Sequence, residues 1–368
     1  MKRIVILQKY CTPYRVPLFN AVAQQPGVDL TLLYYGQKEM RRKWTYFPEC
    51  AFNEVQSRCI SVRAGYERNL ELPFSLIKDL GRIRPDMIIC APDVGGIAAY
   101  FYKRQTSKSY TIWSEATPVT EKKTSVLREK FRRAIYGDAE SFIVPGILAE
   151  AYIRLYRQDV PVHVVPNSIE EQHFSLTNDE LSAKFDRERL IITFSGSLIE
   201  RKGIKLLLES YSRLMREKPE LDDQCLLRIL GTGPMDLTCY KRRNIEFAGF
   251  CEQQKYYEHI RSSHIFVLPS LSDNNPLTVV EALFAGNVIL LADGVGNHPE
   301  AVRGNGAVVP SGSVEEMTRA LERLLTTPRA ELAHMAYNSL KIAREFSLKR
   351  AAAGFYKAIW KENPSCSV

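Results

Sequence analysis

Short apolar runs of strand character recur along this chain, each followed by a stretch with helical spacing, and the alternation occurs as two separate series. The first series holds Ile4–Leu7, Leu30–Tyr34, Met87–Cys90, Thr111–Trp113, Ser141–Val144 and Val162–Val165, with helical stretches such as Val16–Ala23 and Leu72–Leu80 between them. It ends at Pro166-Asn167-Ser168. The second holds strands at Leu190–Ser195, Cys225–Leu230, Ile245–Phe247, Ile265–Leu268, Val288–Ala292 and Gly306–Val309. Its helices are expected at Ile204–Arg216, Gln253–Ser262, Leu277–Phe284, Val314–Thr326 and Arg329–Glu345. Strand–helix alternation predicts an α/β domain with a mainly parallel sheet. Two series in 368 residues predict two Rossmann-like domains, 1–168 and 169–345. The tail, 346–368, is expected to form a helix whose Phe355, Tyr356, Ile359 and Trp360 fold back on the first domain.

Composition narrows the function classes. Hydrophobic residues make up 45% and charged residues 25%, a globular balance. No apolar run approaches the roughly 20 residues of a membrane helix. Met1-Lys2-Arg3-Ile4-Val5-Ile6-Leu7-Gln8 reads as a first strand and not as an export signal, so a cytoplasmic location is expected. The cysteines at 11, 50, 59, 90, 225, 239, 251 and 366 form no C-x-x-C pair, which argues against a zinc or redox motif. No G-x-G-x-x-G follows the first strand, which argues against a dinucleotide oxidoreductase.

Three loops of the second series leave strands where ligands of open α/β sheets bind. The first is Ser195-Gly196-Ser197-Leu198-Ile199-Glu200-Arg201-Lys202-Gly203. A glycine for close backbone approach and a mobile cation suit a diphosphate, although a solvated turn with a surface lysine fits the same residues. The second, Gly231-Thr232-Gly233-Pro234, is a common glycine-rich turn. The third runs from Pro269 through Asp273-Asn274-Asn275-Pro276-Leu277-Thr278 to Glu281 and Gly286. Proline suits a first helical turn, so a helix should open near Pro276. Asp273, Glu281 and the free amides of that turn could together grip a hydroxyl-rich anion. The bland reading is an N-cap aspartate and a surface glutamate; the apolar Ala282-Leu283-Phe284-Ala285 that follows favours a Glu281 facing a buried cleft.

The third loop resembles the E-x7-E signature of glycosyltransferase family 4, with Asp273 in place of the first Glu and Glu281 as the second. Lys202-Gly203 is similar to the family's phosphate loop, Pro166-Asn167-Ser168 with Phe174 to its interdomain stretch, and Gly231–Pro234 and Phe247-Ala248-Gly249-Phe250 also have counterparts. The resemblance covers most of 160–345 and is looser in the first half, where it rests on strand order and Tyr14-Arg15-Val16-Pro17-Leu18-Phe19. It implies a GT-B fold, with the two domains facing each other across a cleft and the C-terminal helix crossing back to the first.

It further implies retaining transfer of a hexose or N-acetylhexosamine from a nucleotide-sugar, UDP-linked first and GDP-linked next, with no metal. The acceptor would be a glycan or a lipid-linked glycan in surface polysaccharide or glycoconjugate synthesis. The implied catalytic set is Lys202 on the diphosphate, Asp273 on the sugar hydroxyls and Glu281 on the ribose. Gly196, Ser197, Arg201, Gly231, Gly233, Phe250, Asn274, Asn275, Pro276, Leu277 and Thr278 complete the donor site. Ser197 stands where the family carries an arginine, and Arg201 is the candidate substitute. The first domain has Cys11-Thr12-Pro13-Tyr14-Arg15 in place of a glycine-rich loop and Trp113-Ser114-Glu115 where a histidine is usual; no histidine precedes His163. Tyr14, Arg15 and Glu115 are the acceptor-side candidates. Weighed against this is a non-catalytic sugar-nucleotide-binding subunit that supports a partner enzyme; an epimerase or phosphorylase fits less well.

Charge adds one more expectation. Residues 1–175 hold 25 Lys and Arg against 18 Asp and Glu, while the remainder is near balance, which suits an anionic partner or a solubilising surface equally. Residues 122–133 are dense in cations, and Val126, Leu127, Phe131, Ala134 and Ile135 recur at helical spacing. Two readings fit: a peripheral contact with the anionic inner face of the cell membrane, or a core-packed helix with a solvated basic face. One aromatic in the segment argues against nucleic acid.

Overall fold

The computed structural model describes residues 1–36, 48–63, 69–121 and 125–362. The chain divides into two compact units, one formed by Met1–Ile169 together with the C-terminal helix and the other by Glu170–Ser347.

The first unit contains strands β1 (Lys2–Gln8), β2 (Val28–Tyr34), β3 (Asn53–Gln56), β4 (Cys59–Arg63), β5 (Asn69–Pro73), β6 (Met87–Cys90), β7 (Ser109–Trp113), β8 (Ser141–Val144) and β9 (Val162–Val164). Its helices are α1 (Val16–Ala23), α2 (Leu76–Ile83), α3 (Val94–Thr106), α4 (Val126–Asp138) and α5 (Ile147–Arg154). Seven strands pair in parallel in the order β3-β2-β1-β6-β7-β8-β9, and β4 and β5 form a separate antiparallel hairpin. Strands such as β1 and β6 are apolar along their centres because helices cover both faces. Val5, Leu7 and Leu33 meet Leu80, Tyr102 and Tyr136 on one side. Ile4, Ile6 and Leu32 meet Phe19, Val22, Phe355 and Ile359 on the other. The C-terminal helix, Leu348–Trp360, thus packs beside α1; Phe355 sets its ring edge-on to Trp113 with centroids 5.0 Å apart. A side chain at Gly354 would come within 2.7 Å of Val165, so glycine permits that approach.

One expectation is corrected here. Leu72–Leu80 is not a continuous helix: Leu72 pairs with Ile60 in the hairpin and α2 starts at Leu76. Pro73 supplies the reason, since it disfavours helix at the residue before it and lacks a donor itself.

The second unit contains α6 (Asn178–Phe185), β10 (Leu190–Ser195), α7 (Ile204–Glu217), β11 (Cys225–Leu230), β12 (Ile245–Gly249), α8 (Gln253–Ser262), β13 (Ile265–Leu268), α9 (Leu277–Phe284), β14 (Val288–Ala292), α10 (His298–Ala301), β15 (Gly306–Val309), α11 (Val314–Thr326) and α12 (Arg329–Ala343). Its six strands are parallel in the order β12-β11-β10-β13-β14-β15. Helix α9 is held at both ends. Asn297 Nδ2 donates to Pro276 O at 3.2 Å. At the other end the buried Lys184 ammonium donates to Ala285 O at 2.9 Å, Gly286 O at 3.0 Å and Asn287 Oδ1 at 2.6 Å. A cation on the last carbonyls of a helix satisfies them and complements its dipole.

Candidate active site

The strand order of the second unit reverses between β10 and β13: the chain builds outward from β10 through β11 and β12, then from β13 through β14 and β15. Ligands of open parallel sheets bind at the carboxyl ends of strands at such a point. The Gly196–Gly203 loop leaves β10 there, and the loop carrying Asp273 leaves β13.

Glycines lock these loops together. Gly203 has φ +70°, and a Cβ on it would lie 2.0 Å from Pro269 O. Gly231 has φ +130°, and a Cβ on it would lie 2.0 Å from Gly196 O. Any other residue at either position meets a backbone oxygen in a conformation that L-residues rarely adopt. Leu198 N–H donates to Thr232 O at 3.0 Å, and Gly231 N–H to Gly249 O at 2.7 Å, so the turns after β10, β11 and β12 form one layer. Gly233 lies within this layer, and the exposed Phe250 stands at its rim.

Lys202 and Asp273 form an ion pair across the switch point, both side chains largely buried. The lysine stem runs past Gly196, its Cδ and Cε 3.8 Å from where a Cβ there would lie, at ordinary contact distance. Asp273 is fixed through its backbone as well: its N–H donates to Gly294 O at 2.9 Å and its carbonyl accepts from Gly296 N–H at 2.8 Å. Arg201 Nη1 donates to Ser272 O at 2.8 Å and stands 3.9 Å from Asp273 Oδ1, which places a second cation beside the loop. Ser197 contributes no charge. Asn274 is half-buried and Asn275 and Pro276 are buried, leading into α9, whose first residues are Leu277 and Thr278.

Glu281 lies on α9, half-buried, and its Oε2 accepts a hydrogen bond from the Tyr256 hydroxyl on α8. That hydroxyl also lies 3.2 Å from Ser195 Oγ, at the last residue of β10. Burial pushes the Glu281 carboxyl up to about 7, against the Tyr256 hydrogen bond, which favours the ionised form. The two carboxylates therefore flank the Gly196 loop. Glu281 is tied to its start through Tyr256 and Ser195, and Asp273 to its end through Lys202. Tyr256 is a residue that the sequence reading missed; a tyrosine on a helix facing a sheet reads as core until its hydroxyl partner is seen. Among the described residues, no group of three or more His, Cys, Asp or Glu is placed to hold a metal.

In the first unit, the acceptor-side candidates come together. Arg15 and Glu115, on the loops after β1 and β7, pair at 2.7 Å, and Asn167 Nδ2 donates to Glu115 Oε1 at 3.0 Å. The Arg15 guanidinium lies 4.3 Å from the Trp113 ring centroid, and Tyr14 beside it is exposed.

Within the basic segment, Lys122, Lys123 and Thr124 lie outside the described residues. The rest divides by face. Val126, Leu127 and Phe131 are exposed on α4, whereas Ile135 is in the core. Arg132 is not a surface cation: it is 7% exposed, pairs with Glu121 at 2.6 Å and stands 3.6 Å from Glu129.

With this geometry in view, likeness to known proteins becomes specific. Residues 177–341 match the family described as "Glycosyl transferases group 1". That match falls wholly within the second unit, Glu170–Ser347. The chain is 25% identical over 225 residues to the D-inositol 3-phosphate glycosyltransferase of Streptomyces bingchenggensis, which covers 56% of this chain and 49% of that protein. It spans about half the length of the curated relatives it matches. Among solved structures, the sucrose-phosphate synthase of Thermosynechococcus elongatus superposes with a TM-score of 0.74 at 14% identity, covering 98% of this chain and 99% of that one. HepE of Anabaena, solved in complex with UDP and glucose, gives 0.72 at 12% identity, covering 98% and 100%. The fold is GT-B, two Rossmann-like units with parallel sheets; the strand alternation led one to expect two such units, and the family resemblance implied the GT-B fold.

Proposed function

We propose that this chain is a retaining glycosyltransferase that moves a hexose or N-acetylhexosamine from a UDP-sugar to a glycan or lipid-linked acceptor without a metal. The observation that carries the reading is the Lys202–Asp273 pair at the β10/β13 switch point, with Glu281 on the far side of the same loop. Lys202 and the amides at the start of α9 would hold the diphosphate and stabilise its charge as it leaves. Asp273 would accept hydroxyls of the transferred sugar, and Glu281 those of the ribose. Retention then follows from reaction on one face, with the departing phosphate oxygen taking the acceptor's proton. Positioning and charge do most of the work in such a step, and it asks for no first-unit histidine. Arg15 and Glu115 would order the acceptor side. The exposed apolar and basic face of α4 supports a peripheral bilayer contact, where a lipid-linked acceptor would be met.

A screen of melting temperature against UDP-, GDP- and ADP-sugars tests the donor, and release of sugar from that donor tests turnover. A stabilising donor that is never turned over, alone or with candidate acceptors, would leave a binding subunit. Absence of any stabilising nucleotide-sugar would overturn the reading.

A further inference from the structure

The β4–β5 hairpin is built inside out. Its pairing sets Ser61 opposite Glu71 on one face and Ile60 opposite Leu72 on the other. The polar face turns into the protein: Glu71 is 3% exposed and accepts from the Tyr10 hydroxyl and from Ser61 Oγ, each at 3.0 Å. The apolar face turns to water. Ile60 is 56% exposed, Val62 49% and Leu72 52%, and just beyond the hairpin Phe74 is 67% and Ile77 38% exposed. Single exposed apolar side chains need no explanation. Three on one ribbon, one in the turn that follows it and one in the first turn of α2 form the kind of patch that marks an interaction surface.

The charges around the ribbon select the partner. Arg58 and Lys78 are exposed at its edges, and among the described residues from Arg58 to Lys78 the sole carboxylate is the inward Glu71. A second copy seated face to face would set Arg58 and Lys78 near like cations, with no outward carboxylate among the described residues of the ribbon to answer them. An anionic lipid surface answers both features, since cations meet its headgroups and apolar side chains enter the boundary beneath. The bias is regional: among the exposed large apolar side chains of the described residues, only Phe250, Leu271, Val308 and Tyr337 fall in the second unit. Among the same residues no helix is long and apolar enough to cross a bilayer, so contact would be interfacial.

We propose that the outward face of the β4–β5 hairpin, with Phe74 and Ile77, is a wedge that seats in the surface of an anionic bilayer. It is a second contact beside α4, and it rests on the hairpin's own side chains and not on the transferase reading.

Flotation of the full chain with phosphatidylcholine vesicles, with and without phosphatidylglycerol, tests it. Wild type floats with the anionic vesicles. The Ile60→Ser/Leu72→Ser/Phe74→Ser variant partitions on the order of tenfold less while its melting temperature and donor-induced shift stay as in wild type, because the three side chains are exposed. In the bound protein, Phe74→Trp gains fluorescence that brominated acyl chains quench. The inference is overturned if the triple variant floats like wild type, if the new tryptophan escapes quenching, or if the variant's main effect is to split a wild-type dimer seen by light scattering. Should Leu127→Glu/Phe131→Glu abolish flotation while the hairpin variant does not, the hairpin inference falls and the α4 contact stands.

Discussion

Replacing Tyr256 with phenylalanine removes one hydroxyl from the link between Glu281 and β10. Glu281 moves from an ordinary 4.5 to about 7 in the fold. Its ionisation in place therefore costs the folded state roughly 3 kcal/mol relative to the free chain. Since the folded value is the higher one, this stability is fully present below about pH 4.5 and is lost as pH rises through about 7. The Tyr256 hydrogen bond opposes that loss. Donated to a carboxylate it contributes about 1.5–3 kcal/mol, and to a neutral acid about 1 kcal/mol. Tyr256→Phe should thus cost about 1 kcal/mol more at pH 8 than at pH 6, and should move the Glu281 midpoint up by roughly one pH unit. The titration belongs to Glu281 and not to the phenol, because burial and the adjacent carboxylate hold the Tyr256 pKa far above its ordinary value. Thermal unfolding across this pH range for wild type, Tyr256→Phe, Glu281→Gln and the double variant gives the coupling directly. An equal Tyr256→Phe penalty at both pH values, or one that keeps its pH dependence in the Glu281→Gln background, would refute the reasoning.

Lys202→Ala should weaken nucleotide-sugar binding by about 1–3 kcal/mol, as expected for a charge-assisted contact; calorimetric titration that finds unchanged affinity would move the diphosphate contact to Arg201. Transfer activity should persist in excess chelator, and a complete loss restored by magnesium or manganese would contradict the proposed mechanism. Gly231→Ala should destabilise the second unit by about 2 kcal/mol or more, because the new methyl meets Gly196 O in a left-handed conformation; an unchanged melting temperature would show that the layer of turns can relax.

The parallel strands were legible because burial on both faces leaves an uninterrupted apolar run, as in Ile4–Leu7 and Val288–Ala292. The edge strand Asn53–Gln56 carries no such mark: its side chains are mostly polar and exposed. The hairpin was hidden because its apolar residues face outward, and Leu72 next to Leu76 and Leu80 mimics helical spacing until Pro73 is weighed. At the site, glycines and the Asp273-to-Glu281 spacing stood out because close backbone approach and paired carboxylates restrict residue type. What could not be read were the contacts that folding makes between distant segments. Arg15 meets Glu115 across a hundred residues of chain, and Tyr256 reaches both Ser195 and Glu281. Arg132 looked like one more surface cation, and only its place on the buried side of α4, against Glu121, shows it to be a structural one.

The Lys202–Asp273 pair gives the proposed donor site a logic that neither residue has alone. A largely buried ion pair is held together by mutual need: removing one partner leaves the other charged and poorly solvated. A diphosphate that draws Lys202 away would strand Asp273 unless something else satisfies the carboxylate. The hydroxyls of a sugar can do so, because they donate where the ammonium donated. A nucleoside diphosphate alone offers the anion without those donors, and a free sugar offers the donors without the anion. Under the proposed reading, the intact nucleotide-sugar is the species that exchanges both halves of the pair at once. The switch point of the sheet is where the two loops that carry those halves must lie side by side.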